Sequence, residues 1–166
     1  VPIAFTQAQL DEAELQIIER QKKIDYYITE FTVEYLAEKM KKEDYRIPTY
    51  QREFTWEEPR KHRFIESLIM RLPIPFLFFC ITPDDGILEV VDGSQRLRTI
   101  KEFIDNNLRL GELSRLPKLK GFLFSDLPKS RQNKIKNISI RGIVLSENTD
   151  DESRFDLFDR INTGSK

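Results

Sequence analysis

Between Val90 and Arg98 the chain reads Val-Val-Asp-Gly-Ser-Gln-Arg-Leu-Arg, and the pattern changes character halfway along. Apolar, β-prone residues stop at Asp92-Gly93, and an amphipathic segment opens with Ser94, Gln95, Arg96 and Arg98. That order predicts a strand, a tight turn and the first turn of a helix. Two roles for the turn stand side by side. Asp92 with Gln95 three residues on fits a capping box, which satisfies helix-end donors from within the chain. The turn also suits an anion, because N–H groups at a helix N-terminus carry partial positive charge. Gly93 lets a backbone approach a ligand closely, and arginine forks at 96 and 98 match phosphate geometry. The two are compatible, since a cap orders the turn that presents Arg96.

A chain of 166 residues is long enough for one compact domain. Its 27 Lys and Arg are balanced by 28 Asp and Glu. That balance excludes a surface that is basic all round, though a local basic face fits it. Cys80 is the one cysteine, so an internal disulfide is excluded; its place in the apolar run 76–81 predicts a buried strand residue. No apolar stretch approaches the ~20 residues of a membrane span, and no signal-peptide pattern opens the chain. A cytoplasmic protein without a membrane partner is the expectation. The first residue is Val1 rather than Met, as expected of a processed product or a piece of something longer.

The remaining elements follow from spacing. Thr6 and Gln9 predict a capping box before a helix over 7–23, whose narrow stripe of Leu10, Ala13, Ile17 and Ile18 is expected to pack on this same domain. A short strand over 25–29 precedes Thr32, the expected cap of a helix carrying Val33, Leu36 and Met40. Residues 45–47 read as a strand stopped by Pro48. A helix over 57–71 has Phe64, Ile65, Leu68, Ile69 and Leu72 on one face, with Pro59 tolerated in its first turn. Strands are expected over 76–81 and 87–91, and a helix buries Leu97, Ile100, Phe103 and Ile104. Residues 105–124 read as loop, 125–137 as a helix, and 138–145 as a strand. A last helix over 150–161 is expected to turn Phe155, Phe158 and Ile161 inward. Helices alternating with short strands imply an α/β or α+β domain.

Two further segments carry polar groups in apolar company. In the stretch 48–56, Gln51 and Arg52 sit among Tyr50, Phe54 and Trp56, and Arg52 is placed to join Arg96 on a phosphate; the aromatics are better read as core. Near the end, Asn162 and Gly164 suit a helix stop, while Arg160 and Asn162 are also within reach of a ligand role. Lys129, Arg131, Lys134 and Lys136 make a basic helix face, either simply solvated or a contact for DNA phosphates. His62 with Glu66 supplies too few ligands for a metal site, and there is no catalytic Ser-His-Asp or Cys-His arrangement and no Walker-type loop.

Taken in order, the segments 47–56, 91–97 and 157–164 resemble the N-terminal domain of GmrSD-type type IV restriction systems, in the ParB/sulfiredoxin-like group. The resemblance covers roughly residues 25–166, leaving residues 1–24 as an N-terminal helical extension. It implies an α+β, ParB/sulfiredoxin-like domain, a small mixed sheet flanked by helices. It also implies a nucleotide-binding, nucleoside-triphosphate-hydrolysing regulatory role in a phage-defence protein that attacks modified DNA, with Mg²⁺ as companion of the triphosphate. Asp92 and Gln95 are then the catalytic positions; Gln51, Arg52, Gly93, Ser94, Arg96, Arg160 and Asn162 are the nucleotide-binding ones; no protein metal site is implied. Ser94 stands where the family usually has glutamine, keeping a hydrogen-bonding group with shorter reach. The sequence stops before the family's domain is usually complete and lacks a His-Asn-His signature, so the implied nuclease is a further domain or subunit. The alternative is a non-hydrolysing DNA- or partner-binding module of the same fold.

Overall fold

The computed structural model describes residues 1–51 and 55–164, with backbone alone at 50 and 162–164. Among these residues the architecture is α+β, with six α-helices and one mixed four-stranded sheet.

Helix α1 (Gln7–Gln21) opens with the expected capping box: Thr6 N–H donates to Gln9 Oε1 at 2.8 Å, and Gln9 N–H donates to Thr6 Oγ1 at 3.2 Å. Its stripe does not pack on the domain. Leu10, Ala13, Ile17 and Ile18 are all exposed, α1 buries no residue, and an exposed Arg20–Glu152 pair at 3.5 Å ties it to the body. No described element lies over that stripe. Strand β1 (Tyr26–Thr32) runs three residues beyond the expected end, into Thr32, whose Oγ1 accepts from Tyr35 N–H and caps α2 (Val33–Lys41).

Residues 45–47 contribute one parallel bridge, Arg46 to Glu89, rather than a strand, because Pro48 ends the run at once. Helix α3 (Glu58–Ile69) buries Phe64, Ile65 and Leu68. It stops short of Leu72, which is exposed: Arg71 takes a left-handed φ of 59°, and Leu72 N–H returns to Ser67 O at 3.0 Å, a Schellman turn. Strands β2 (Leu77–Ile81) and β3 (Leu88–Asp92) form a hairpin, and α4 (Ser94–Ile104) follows β3 directly. The expected helix over 125–137 is divided at Pro128 into a short 3₁₀ turn (Phe124–Asp126) and α5 (Lys129–Lys136). Strand β4 (Ser139–Leu145) and helix α6 (Asp151–Gly164) complete the chain.

The strand order is β1-β4-β2-β3, antiparallel except for the β4–β2 pair. Side chains alternate across this sheet with the two-residue period of a strand. Leu77, Phe79, Val90 and Val144 face the main core with Leu36, Ile65, Leu97, Ile100 and Phe103 of the helices. Cys80, Val91 and Leu145 face the other way, against Leu157, Phe158 and Ile161 of α6. Cys80 is therefore buried as expected. Phe155 is not: it is 77% exposed, because the apolar stripe of α6 is rotated toward Leu157.

Candidate functional site

Strand β3 delivers the backbone to Gly93, which turns left-handed at φ 107° and becomes the N-cap of α4. An L side chain rarely adopts that angle. Space forbids one as well, since a Cβ on Gly93 would lie 2.6 Å from Leu77 Cδ2 and 3.3 Å from Arg96 Nη2. The capping box expected from Asp92 and Gln95 does not form. Gly93 rather than Asp92 holds the cap position, and no side chain caps α4 among the described residues. The first helical bond is Leu97 N–H to Gly93 O at 3.0 Å. The start of α4 thus presents its first-turn N–H groups behind a residue with no side chain.

Gln95 is released from capping to make a longer-range contact. Its Oε1 accepts from Thr55 N–H at 3.0 Å and from Trp56 N–H at 3.1 Å. On the other flank, Gln51 Nε2 donates to Val91 O at 2.7 Å. Two ends of the 51–56 segment are therefore fixed to the two sides of the β3–α4 turn. Trp56 anchors this strap: it packs against the core, edge-on to Phe64 at 5.6 Å, with Arg60 over its ring at 4.8 Å. That agrees with the core role expected for it.

Arg96 points inward. It is 9% exposed, and its guanidinium donates to Pro75 O and to Phe76 O, with Asp92 Oδ2 at 3.6 Å. Burial pushes its pKa below the usual arginine value, and the Asp92 carboxylate opposes that shift. The fork binds the approach to β2 and the end of β3 to α4, so it holds the turn in shape from beneath. Ser94, the first residue of α4, is buried, and Thr99 Oγ1 donates to Gln95 O at 2.8 Å one turn on. Arg98 is half-buried, and burial lowers its pKa.

The structure thus gathers Gln51, Asp92, Gly93, Ser94, Gln95 and Arg96 at one turn. Arg160 stands on a different element from these. It lies on α6, which packs on β3, and its Nε donates to Asp156 Oδ2 at 3.0 Å on its own helix. Arg52 and the side chain of Asn162 lie outside the described residues. Four contributors escaped the sequence: the backbone N–H groups of Thr55 and Trp56, and the carbonyls of Pro75 and Phe76. Main-chain groups leave no residue signature, and only the proline pair at 73 and 75 hinted at a fixed backbone there. Among the described residues no cluster of three His, Cys, Asp or Glu is placed to hold a metal ion, and no helix is long and apolar enough to cross a membrane.

A family model described as the N-terminal domain of GmrSD restriction endonuclease matches residues 33–166. No curated protein and no solved structure matches the chain.

Proposed function

The chain belongs to the family of GmrSD restriction endonuclease N-terminal domains, and from that premise we propose that it binds and hydrolyses nucleoside triphosphate to regulate an attack on modified phage DNA. In this reading residues 25–166 are one ParB/sulfiredoxin-like domain, residues 1–24 are an extension, the protein works in the cytoplasm, and the nuclease is a separate domain or subunit. The observation that carries the reading is the start of α4, a helix N-terminus behind left-handed Gly93 with no side-chain cap among the described residues. Such an end suits phosphate oxygens, through its N–H groups and the helix dipole.

The residues divide the work by position. First-turn N–H groups and the Ser94 hydroxyl receive the phosphates. Gln95 holds the Thr55 and Trp56 backbone against the turn. Arg96 acts from below as a positioning residue. Asp92, about one-third exposed, is the carboxylate available to orient a water or a Mg²⁺ carried chiefly by the phosphates. Gln51 positions the strap, and Arg52, Arg160 and Asn162 are the further nucleotide contacts that the family resemblance implies.

Mg²⁺-dependent release of inorganic phosphate from each nucleoside triphosphate tests the hydrolytic step. Asp92→Asn is expected to lower that release at least tenfold while binding stays within a few-fold; unchanged release would contradict the role. A second reading, a non-hydrolysing module, is favoured by the engagement of Arg96 with backbone carbonyls. Tight binding without phosphate release by the parent chain selects it.

A further inference from the structure

Helix α1 is apolar along one line and buried nowhere. Leu10 and Ile17 are seven residues apart, which brings them within about 20° of each other around the helix, and Ala13 falls between them. The line runs on past the helix end to Ile24. Lys22 keeps helical angles there (φ −64°, ψ −20°), and Ile24 N–H returns to Gln21 O at 3.3 Å. Leu10, Ile17 and Ile24 are 51%, 50% and 41% exposed. A 15-residue helix with nothing packed on it is marginal in water, so the stripe calls for a cover.

The charges beside the stripe say what that cover is. Acids stand in the first half of the extension's helix, at Asp11, Glu12 and Glu14, and cations follow at Arg20, Lys22 and Lys23. Glu19 breaks the division and is ion-paired with Lys22 at 3.7 Å, an exposed and readily exchanged contact. Two such helices laid in the same direction would set like charges together. Reversed, each offers its acids to the other's cations. With Ile17 on the two-fold axis, Leu10 meets Ile24 of the second copy. Asp11 then faces Lys22 of that copy along one flank, and Glu12 faces its Lys23 along the other. Symmetry repeats both pairs. A two-fold interface has to be self-complementary in this way, and reversed helices also oppose their dipoles. A lipid surface fits α1 less well, because helices that lie on membranes carry mainly cations on their polar face, whereas α1 carries four acids and one arginine.

We propose that α1 pairs antiparallel with α1 of a second copy of this chain. The pair buries on the order of 1,000 Å², at the low end for a specific interface, so the dimer forms at about micromolar concentration. Residues 1–24 lie outside the span 33–166 that the family model matches, and they share nothing with the β3–α4 turn. The pairing therefore stands or falls independently of nucleotide binding.

Sedimentation equilibrium of the full chain, over concentrations from about 1 to 200 μM at low salt, tests it. The mass should rise from one chain toward two across that range. Ile17→Glu, a change to a good helix former, should weaken the dimer at least tenfold and leave the melting temperature within a few degrees of the parent. The double variant Asp11→Lys, Glu12→Lys should weaken it at least threefold, and so should Lys22→Glu, Lys23→Glu. An equimolar mixture of the two double variants should regain the parent affinity, because every facing pair is again of opposite sign. A parent that stays monomeric throughout would overturn the proposal, and so would a dimer that survives Ile17→Glu. Charge-reversed variants that dimerise as tightly as the parent would overturn the antiparallel arrangement. Pelleting of a monomeric parent with phosphatidylcholine vesicles, lost in Ile17→Glu, would give the stripe to a lipid surface instead.

Discussion

Gly93 is held to glycine from two sides, by a φ of 107° and by Leu77 Cδ2 lying 2.6 Å from where a Cβ would sit. Gly93→Ala should therefore destabilise the fold by about 1–3 kcal/mol, measured by urea unfolding; a change under a few tenths would mean that the turn relaxes freely. This position was legible in the sequence because Asp-Gly between a strand pattern and a helix pattern has few other uses. Its neighbours were not. Asp92 and Gln95 have the spacing of a capping box, yet the left-handed residue moves the cap one place along. Gln95 then finds Thr55 and Trp56 some forty positions away in sequence. Arg96 was read as a ligand-facing fork and is turned onto Pro75 and Phe76. Local pattern identifies residues that matter, while tertiary contacts decide what each one touches.

Elements were recovered best where a strong period coincided with a cap or a stop. Helices α2 and α3 and the hairpin strands lie within a few residues of expectation, because Thr32, Pro59 and the prolines at 73 and 75 punctuate them. Helix α1 was placed correctly and packed wrongly, since a stripe predicts that a face is apolar but not what covers it. As α1 buries nothing, a chain starting at Asp25 should unfold at a melting temperature within about 2–3 °C of the parent; a larger loss would mean that the extension supports the domain. The β2–β3 turn makes a pH-dependent contribution of its own. Hydrogen bonds from the Thr82 side chain and the Ile87 N–H push the Asp85 carboxyl down to about 2, with Arg46 at 2.5 Å adding to the shift. A depressed carboxylate contributes fully above its ordinary value near 4 and loses that contribution as pH falls through about 2. Asp85→Asn should flatten this part of the acid-unfolding curve, and a curve of unchanged shape would remove the turn from the account.

Taken whole, the molecule is a mixed sheet with its larger core on one face and α6 on the other, and the β3–α4 turn stands where a sheet edge meets the main helical layer. Composition showed the balance of charge but not how packing fixes single groups, such as the buried Glu66 of α3 that accepts the Arg115 and Leu116 N–H groups.

The most direct measurement is the melting temperature of the full chain titrated with each nucleoside triphosphate, with and without Mg²⁺, beside Gln95→Glu. The variant keeps an acceptor for the Thr55 and Trp56 N–H groups and suits a helix N-terminus, yet sets a negative charge beside the phosphates. The parent should gain stability as ligand rises, by about 2.7 kcal/mol at a hundred times the Kd, and Gln95→Glu should fold normally and lose that gain. A parent whose melting temperature no nucleotide moves, or a Gln95→Glu chain stabilised as strongly as the parent, would contradict a triphosphate site at the start of α4.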